Sequence, residues 1–129
     1  GITDVVLIPA VENPNFNIEG TIIYSYASIA EFIYLLNQAT WICTDSFHAT
    51  ALSINMEKNF SEFLRFKDAD EDSQNSRIYD ILDTFRFRNR LYDLSNYEWS
   101  QPVNFTQSRV ILQSLREDSI DWFINAIEN

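Results

Sequence analysis

Short β-rich runs alternate with helical segments along this chain. The β-rich runs are too short for helices and consist largely of branched and aromatic residues; they are Val5–Ile8, Thr21–Tyr26, Trp41–Thr44 and Phe60–Leu64. Strands that alternate with helices are typical of βαβ units. The alternation therefore predicts an α/β fold with a mostly parallel sheet and helices on both faces.

The helices are predicted from apolar residues that recur at positions i, i+3, i+4 and i+7. The first covers residues 29–39, where Ser28 and Glu31 form a capping box. A second begins just after Thr44. Two further regions are predicted, one from residue 75 and one from residue 106. The last is either one long helix or two helices broken near Asp118.

Length and composition predict one packed domain that covers residues 1–129. The chain is 46% hydrophobic and 15% aromatic, which is ample for a single core. No apolar stretch approaches the roughly 18 to 20 residues of a membrane span. We therefore expect no membrane span.

Three scarce residue types exclude several classes of site. Only two glycines are present, so neither a Walker loop nor a G-x-G-x-x-G motif can form. One cysteine and one histidine exclude a disulfide framework and a Cys/His zinc site. We expect no metal and no cofactor, and the cysteine usage is typical of a reducing compartment such as the cytoplasm.

Charge is strongly acidic and unevenly distributed. The net charge of −10 disfavours nucleic acids and anionic membrane surfaces as partners. Residues 1–57 contain no Lys or Arg, whereas seven of the nine cations lie within residues 58–90. If the chain binds a small anion, its arginines must come largely from that stretch.

One run, from Trp41 to His48, concentrates groups that can do chemistry. Asp45, Ser46 and the single histidine, His48, follow a predicted strand and enter the first turn of the next helix. A helix N-terminus attracts anions, and an imidazole can take up or deliver a proton near neutral pH. The alternative is that Asp45 and Ser46 are plain helix caps and that His48 is a structural residue.

The arginines give a second indication of anion binding. Arg77 lies in the first turn of its helix, where a cation opposes the helix dipole unless a bound anion or nearby acids offset it. Arg86, Arg88 and Arg90 lie near a helix C-terminus, where cations are favoured, so the pattern alone predicts structural roles for them. A Ser-His-Asp triad is not expected, because Asp45, Ser46 and His48 are too close in sequence to form one.

At these residues the chain resembles the C-terminal part of the polysaccharide pyruvyl transferase family. The matching text is IAEFIYLLNQATWICTDSFHATALSI at 29–54, a phenylalanine-rich strand with Arg65, NSRIYDIL at 75–82 and NRLYD at 89–93. The resemblance covers about half of the chain. Ala49 is a departure, because the family usually has glycine after the histidine.

The resemblance implies a Rossmann-like domain that is one half of a GT-B-like enzyme, the N-terminal half being its partner. Members transfer the pyruvyl group of phosphoenolpyruvate to a sugar or polysaccharide precursor, usually for bacterial cell-surface polysaccharides. By the same resemblance His48 and Asp45 are the catalytic residues. The donor-binding residues would be Ser46, Arg65, Arg77 and Arg90.

The expected function is therefore that of the C-terminal domain of a pyruvyl transferase, inactive as this piece alone. Two alternatives stay open. One is a GT-B-like glycosyltransferase half that binds a sugar nucleotide, and the other is a non-catalytic interaction module that kept the fold.

Overall fold

The computed structural model describes residues 4–10, 18–67, 69 and 74–129. The chain divides into two compact units, residues 1–35 and residues 36–129. The described residues are mixed α/β, with four α-helices, two short 3-10 helices and four strands of three residues each. The α/β class is thus confirmed.

The first unit contains a parallel pair of strands. Strand β1 (Val5–Leu7) pairs with β2 (Thr21–Ile23), with Val5 opposite Thr21. Gly20 lies directly before β2 with φ of +81°, in the left-handed region that glycine tolerates best. Its position therefore fits the turn that leads into the strand.

Helix α1 (Ile29–Gln38) begins with the predicted capping box. The Glu31 N–H donates to Ser28 Oγ at 3.2 Å, and the Ser28 N–H donates to the Glu31 carboxylate at 3.3 Å. The predicted apolar face is only partly covered among the described residues: Leu36 is buried, whereas Ile29 is 81% exposed. Periodicity thus located the helix but not the extent of its buried face.

The second unit is built around a βαβ unit. Strand β3 (Ile42–Thr44), helix α2 (Phe47–Asn55) and strand β4 (Phe60–Glu62) follow one another, and the two strands pair in parallel. Thr44 lies opposite Glu62, so both strands end at the same edge. The chain enters α2 at that edge, where ligands commonly bind in parallel α/β structures.

The rest of the second unit is helical. Its elements are α3 (Asn75–Thr84), 3-10 helices at Arg88–Arg90 and Glu98–Ser100, and α4 (Thr106–Glu128). The segment from Thr106 is therefore one helix, unbroken at Asp118. None of the described helices combines the length and apolar character needed to cross a bilayer.

The core of the second unit lies around β4 and α3. Phe60 and Leu82 are completely buried, and each such side chain contributes roughly 1.5–3 kcal/mol through removal from water. Phe87 packs edge-on against Phe60, with ring centroids 5.6 Å apart. This core fixes β4 and, through it, the edge at which α2 begins.

The sheet differs from the single sheet that was predicted. The strands of the described residues form two separate parallel pairs, β1–β2 and β3–β4. They are also shorter than the predicted runs. Trp41, just before β3, donates its indole N–H to Ser61 Oγ at 2.8 Å. Parallel pairing is confirmed.

Candidate functional site

A pocket of about 210 Å³ opens where β3 leads into α2. Five of the six site residues predicted from the sequence line it. They are Asp45, Ser46, His48, Arg65 and Arg77, joined by Phe47, Phe66, Gln74, Asn75 and Ile78. The edge of the βαβ unit and the start of α3 therefore converge on this pocket.

The start of α2 is fixed by Ser46. Its backbone is extended, with φ of −103° and ψ of 124°, and its Oγ accepts the Ala49 N–H at 3.5 Å. The Ser46 N–H in turn donates to Thr44 Oγ1 at 3.0 Å. Ser46 is therefore the helix cap, and Asp45, which was the other predicted cap, is left to pair elsewhere.

The first turn of α2 presents His48 and unpaired main-chain donors. The N–H groups of Phe47 and His48 lie too early in the helix to reach an intrahelical carbonyl. The His48 side chain is exposed, and its ring meets Phe47 edge-on at 5.9 Å. His48 therefore has access to a bound ligand, and an anion here would be bound by donors and the helix dipole together.

Asp45 forms a two-pronged ion pair with Arg65. Arg65 Nε donates to Asp45 Oδ2 at 2.9 Å and Nη2 donates to Oδ1 at 2.8 Å. The hydrogen bonds from Arg65 hold the pKa of Asp45 below its usual range and raise the pKa of Arg65. Asp45 is thus held as a carboxylate, so in this arrangement it orients Arg65 rather than delivering a proton.

Arg77 is held at the opposite wall by an aromatic ring. Its guanidinium carbon lies 4.7 Å from the centre of the Phe47 ring, and Nη1 is 3.5 Å from Gln74 Oε1. The cation–π contact leaves the guanidinium edges available to a ligand. A cation in the first turn of α3 is thereby placed where an anion would relieve its opposition to the helix dipole.

The charges of these residues favour a small anion. Arg65 and Asp45 compensate each other, so Arg77 and the N-terminus of α2 supply the net positive potential. The chain as a whole carries −10, which makes this a local feature. Within the described residues, no group of three or more His, Cys, Asp or Glu side chains could hold a metal ion.

Arg90 is not in this pocket, which corrects its predicted role as a donor-binding residue. It is only 2% exposed. Nε and Nη2 donate to the Phe60 carbonyl at 3.0 and 2.8 Å, and Nη1 donates to the Glu98 carbonyl at 2.8 Å. Nη2 also reaches the Trp99 carbonyl at 2.5 Å. Arg90 therefore ties β4 to the second 3-10 helix, in keeping with the structural role that its helix-end position suggested.

Ala49, the departure from the family pattern, does not narrow the pocket. It is 4% exposed and is absent from the pocket wall, and its N–H is used by the Ser46 cap. The methyl group faces the interior of the second unit. Its presence in place of glycine therefore leaves the pocket open.

Sequence reasoning missed Glu62, the last residue of β4. It is completely buried, and Oε2 lies 2.5 Å from Thr50 Oγ1. Burial raises the pKa of Glu62 to about 8, and the nearby Asp45 carboxylate adds to the rise. Strand alternation could have found it, because Glu62 shares a strand face with the buried Phe60.

No family model, curated protein or solved structure matches this chain. The pocket and the motif resemblance are therefore the two features that bear on function. Of these, the pocket supplies the geometry and the resemblance supplies the reaction.

Proposed function

We propose that this chain is the donor-binding, C-terminal domain of a polysaccharide pyruvyl transferase. In this proposal residues 1–129 are one Rossmann-like half of a GT-B-like enzyme, which acts in the cytoplasm on a sugar or polysaccharide precursor. The observation that carries the proposal is the pocket in which His48, Ser46, Arg65 and Arg77 meet at the start of α2. A proton-transfer group and two cations around a helix N-terminus match what an anionic enol phosphate requires.

The proposed reaction converts phosphoenolpyruvate and a sugar diol into a pyruvate ketal and inorganic phosphate. One sugar hydroxyl adds to C2 of phosphoenolpyruvate, while the methylene carbon gains a proton and becomes a methyl group. The second hydroxyl then displaces phosphate from C2, and its proton leaves with the phosphate. Two C–O bonds and one C–H bond form, while the C=C π bond and one C–O bond break and the hydroxyl protons end on the methyl group and the phosphate, so no oxidant or reductant is needed.

His48 is the residue we assign to proton transfer. It is exposed to the pocket and lies in the turn whose free N–H groups would hold the donor. In its protonated form it can deliver the proton to the methylene carbon, and in its neutral form it can take a proton from a sugar hydroxyl. Asp45 is given a supporting role here, because it is ion-paired with Arg65.

The donor's two anionic groups are assigned to the two sides of the pocket. Arg77 and the first-turn N–H groups of α2 would bind one, and Ser46 Oγ adds a hydroxyl beside them. Arg65 keeps Nη1 available after its two bonds to Asp45 and would bind the other. The partner N-terminal half would supply the acceptor side, so we expect this piece alone to bind the donor without turning it over.

Ligand titration followed by NMR tests the proposal. Phosphoenolpyruvate should shift the amide signals of Phe47 and His48, whereas a sugar nucleotide should not. Arg77→Gln should weaken binding about tenfold or more, the usual effect of losing a charge-assisted hydrogen bond. Arg116→Gln is the matched control, because it removes the same charge from α4, outside the pocket.

The outcomes separate the three functions. Preferential binding of a sugar nucleotide would establish the glycosyltransferase alternative. Absence of binding by any of these anions would favour a non-catalytic module, for which the closed Asp45–Arg65 pair is a specific observation. Equal losses in the Arg77 and Arg116 variants would mean that phosphoenolpyruvate binds by charge alone and would refute the assigned pocket.

A further inference from the structure

A buried carboxyl group lies behind the candidate site and is not used by the proposed chemistry. Glu62 is completely buried, and its Oε1 has no hydrogen-bond partner among the described residues. Its Oε2 contacts Thr50, which is itself completely buried in α2. A charged carboxylate in this setting would be costly, because one of its oxygens would lose all hydrogen bonding.

The proton count around Thr50 indicates a neutral acid. Thr50 Oγ1 lies 2.9 Å from the Ser46 carbonyl oxygen and 2.5 Å from Glu62 Oε2. A hydroxyl has one proton, and neither a carbonyl nor a carboxylate supplies another. If Glu62 is protonated, both contacts become hydrogen bonds: Glu62 donates to Thr50, and Thr50 donates to Ser46.

The charged groups of the surrounding elements do not favour ionisation. The elements that pack against β4 carry five charged or titratable residues. They are Asp45 at the end of β3, His48 in α2, Arg88 and Arg90 in the first 3-10 helix, and Glu98 in the second. Arg90 is bound to main-chain carbonyls, and Asp45 repels a charge on Glu62. Arg65 beyond β4 is paired with Asp45.

We propose that Glu62, as a neutral acid, is a positioning residue that sets the anion affinity of the pocket through Thr50 and Ser46. Ser46 caps α2, so the two hydrogen bonds fix the helix start whose N–H groups face the pocket. Ionisation would remove the donor to Thr50 and place a negative charge behind the anion. Anion binding therefore weakens when Glu62 loses its proton. The inference rests on the proposed function only in taking an anion to bind at this helix start.

Sulfate is the probe for the test, because its charge does not change between pH 7 and pH 9. In the unaltered chain, sulfate affinity should fall roughly tenfold over this range, as expected for a unit charge appearing near a bound anion. Glu62→Gln retains a neutral group that can donate to Thr50, so its affinity should stay constant. The variant differs from the unaltered chain only at Glu62, so the difference between the two pH profiles isolates this residue.

Two variants of Thr50 test the route of the effect. Thr50→Ser keeps the hydroxyl and should retain the pH dependence, whereas Thr50→Val breaks the hydrogen-bonded chain and should bind sulfate more weakly at pH 7. A residue that merely fills space would not distinguish serine from valine in this way. Equal affinity in the serine and valine variants would overturn the positioning role.

A second readout separates this inference from the proposed function. Amide NMR shifts of Ala49 and Thr50 should show a titration step in the unaltered chain that is absent from Glu62→Gln. If sulfate and phosphoenolpyruvate fail to bind at every pH, the proposed function is refuted, and these shifts alone decide the role of Glu62. Identical pH profiles in the two proteins, in shifts or in affinity, would refute the inference.

Discussion

The pH dependence of stability gives the sharpest test of the buried carboxyl group. Glu62 has a pKa of about 8 in the folded chain and an ordinary value of 4.5. Between these values the folded state binds the proton and the unfolded state does not, so the free energy of unfolding falls as pH rises. The stabilisation is fully present below pH 4.5 and is lost as the pH rises through about 8.

The size of the effect follows from the linkage relation. From pH 5 to pH 7.5 the two pKa values correspond to a loss of about 3 kcal/mol in the free energy of unfolding. Glu62→Gln has no such proton, so the difference between the two proteins isolates this contribution. Asp45 stabilises the folded chain when it is ionised, because its pKa is lowered there. Both proteins contain Asp45, so its contribution cancels when their free energies of unfolding are subtracted.

Urea unfolding at four pH values between 5 and 7.5 provides the measurement. Tryptophan fluorescence is a suitable signal, because two tryptophans contact Ser61, the residue next to Glu62. Trp41 donates its indole N–H to Ser61 Oγ, and Ser61 Oγ donates to the Trp99 carbonyl. Ser61→Ala is the matched control: it alters a buried, hydrogen-bonded neighbour without removing a titratable group. If the Glu62→Gln difference stays constant within about 0.5 kcal/mol, as for Ser61→Ala, Glu62 is ionised throughout and the reasoning fails.

Four further changes have expected outcomes. His48→Ala should lower the free energy of unfolding by at most about 1 kcal/mol in a thermal melt, because the side chain is exposed. The same change should slow phosphate release by the whole enzyme about 10²- to 10⁴-fold. Arg90→Met should destabilise by about 3 kcal/mol or more in urea by leaving main-chain carbonyls unpaired; an unchanged midpoint would contradict this. Arg86→Gly should raise stability by up to about 1 kcal/mol, since φ there is 61°; a lower melting temperature would count against strain at this helix end. Asp45→Asn removes a negative charge beside the pocket and should strengthen sulfate binding severalfold by calorimetry, whereas weaker binding would show that the orientation of Arg65 by Asp45 outweighs that charge.

Patterns among neighbouring residues were sufficient to predict the helices, the strands and the place in the chain where the candidate site lies. The four strand positions and the four helices follow from spacing, and the Ser28–Glu31 box is formed as its residues predict. The start of α2 was also predicted to within one residue, because both Asp45 and Ser46 are suitable helix caps and Ser46 is the cap that forms. These features depend on residues within a few positions of one another, so the sequence displays them directly.

Contacts between distant residues could not be predicted in the same way. Asp45 and Arg65 are twenty residues apart, and their pairing depends on the parallel register of β3 and β4. The role of Arg90 depends on the carbonyls of Phe60, Glu98 and Trp99, which carry no side-chain signature. A main-chain acceptor is the same for every residue type, so the helix-end position predicts a structural role for Arg90 but not which carbonyls it binds.

The pairing of Asp45 with Arg65 and the burial of Glu62 act on the same quantity, the potential at the start of α2. In a chain with a net charge of −10, one unpaired carboxylate close to the pocket is sufficient to oppose an anion. Asp45 is compensated by Arg65, and Glu62 is neutral as long as it keeps its proton. Arg77 then acts against little local negative charge. The proposed anion site therefore depends on two nearby acids that are neutralised by different means, one by an ion pair and one by a proton. Only the second of these depends on pH near neutrality, so alkaline pH should weaken anion binding while leaving the Asp45–Arg65 pair intact.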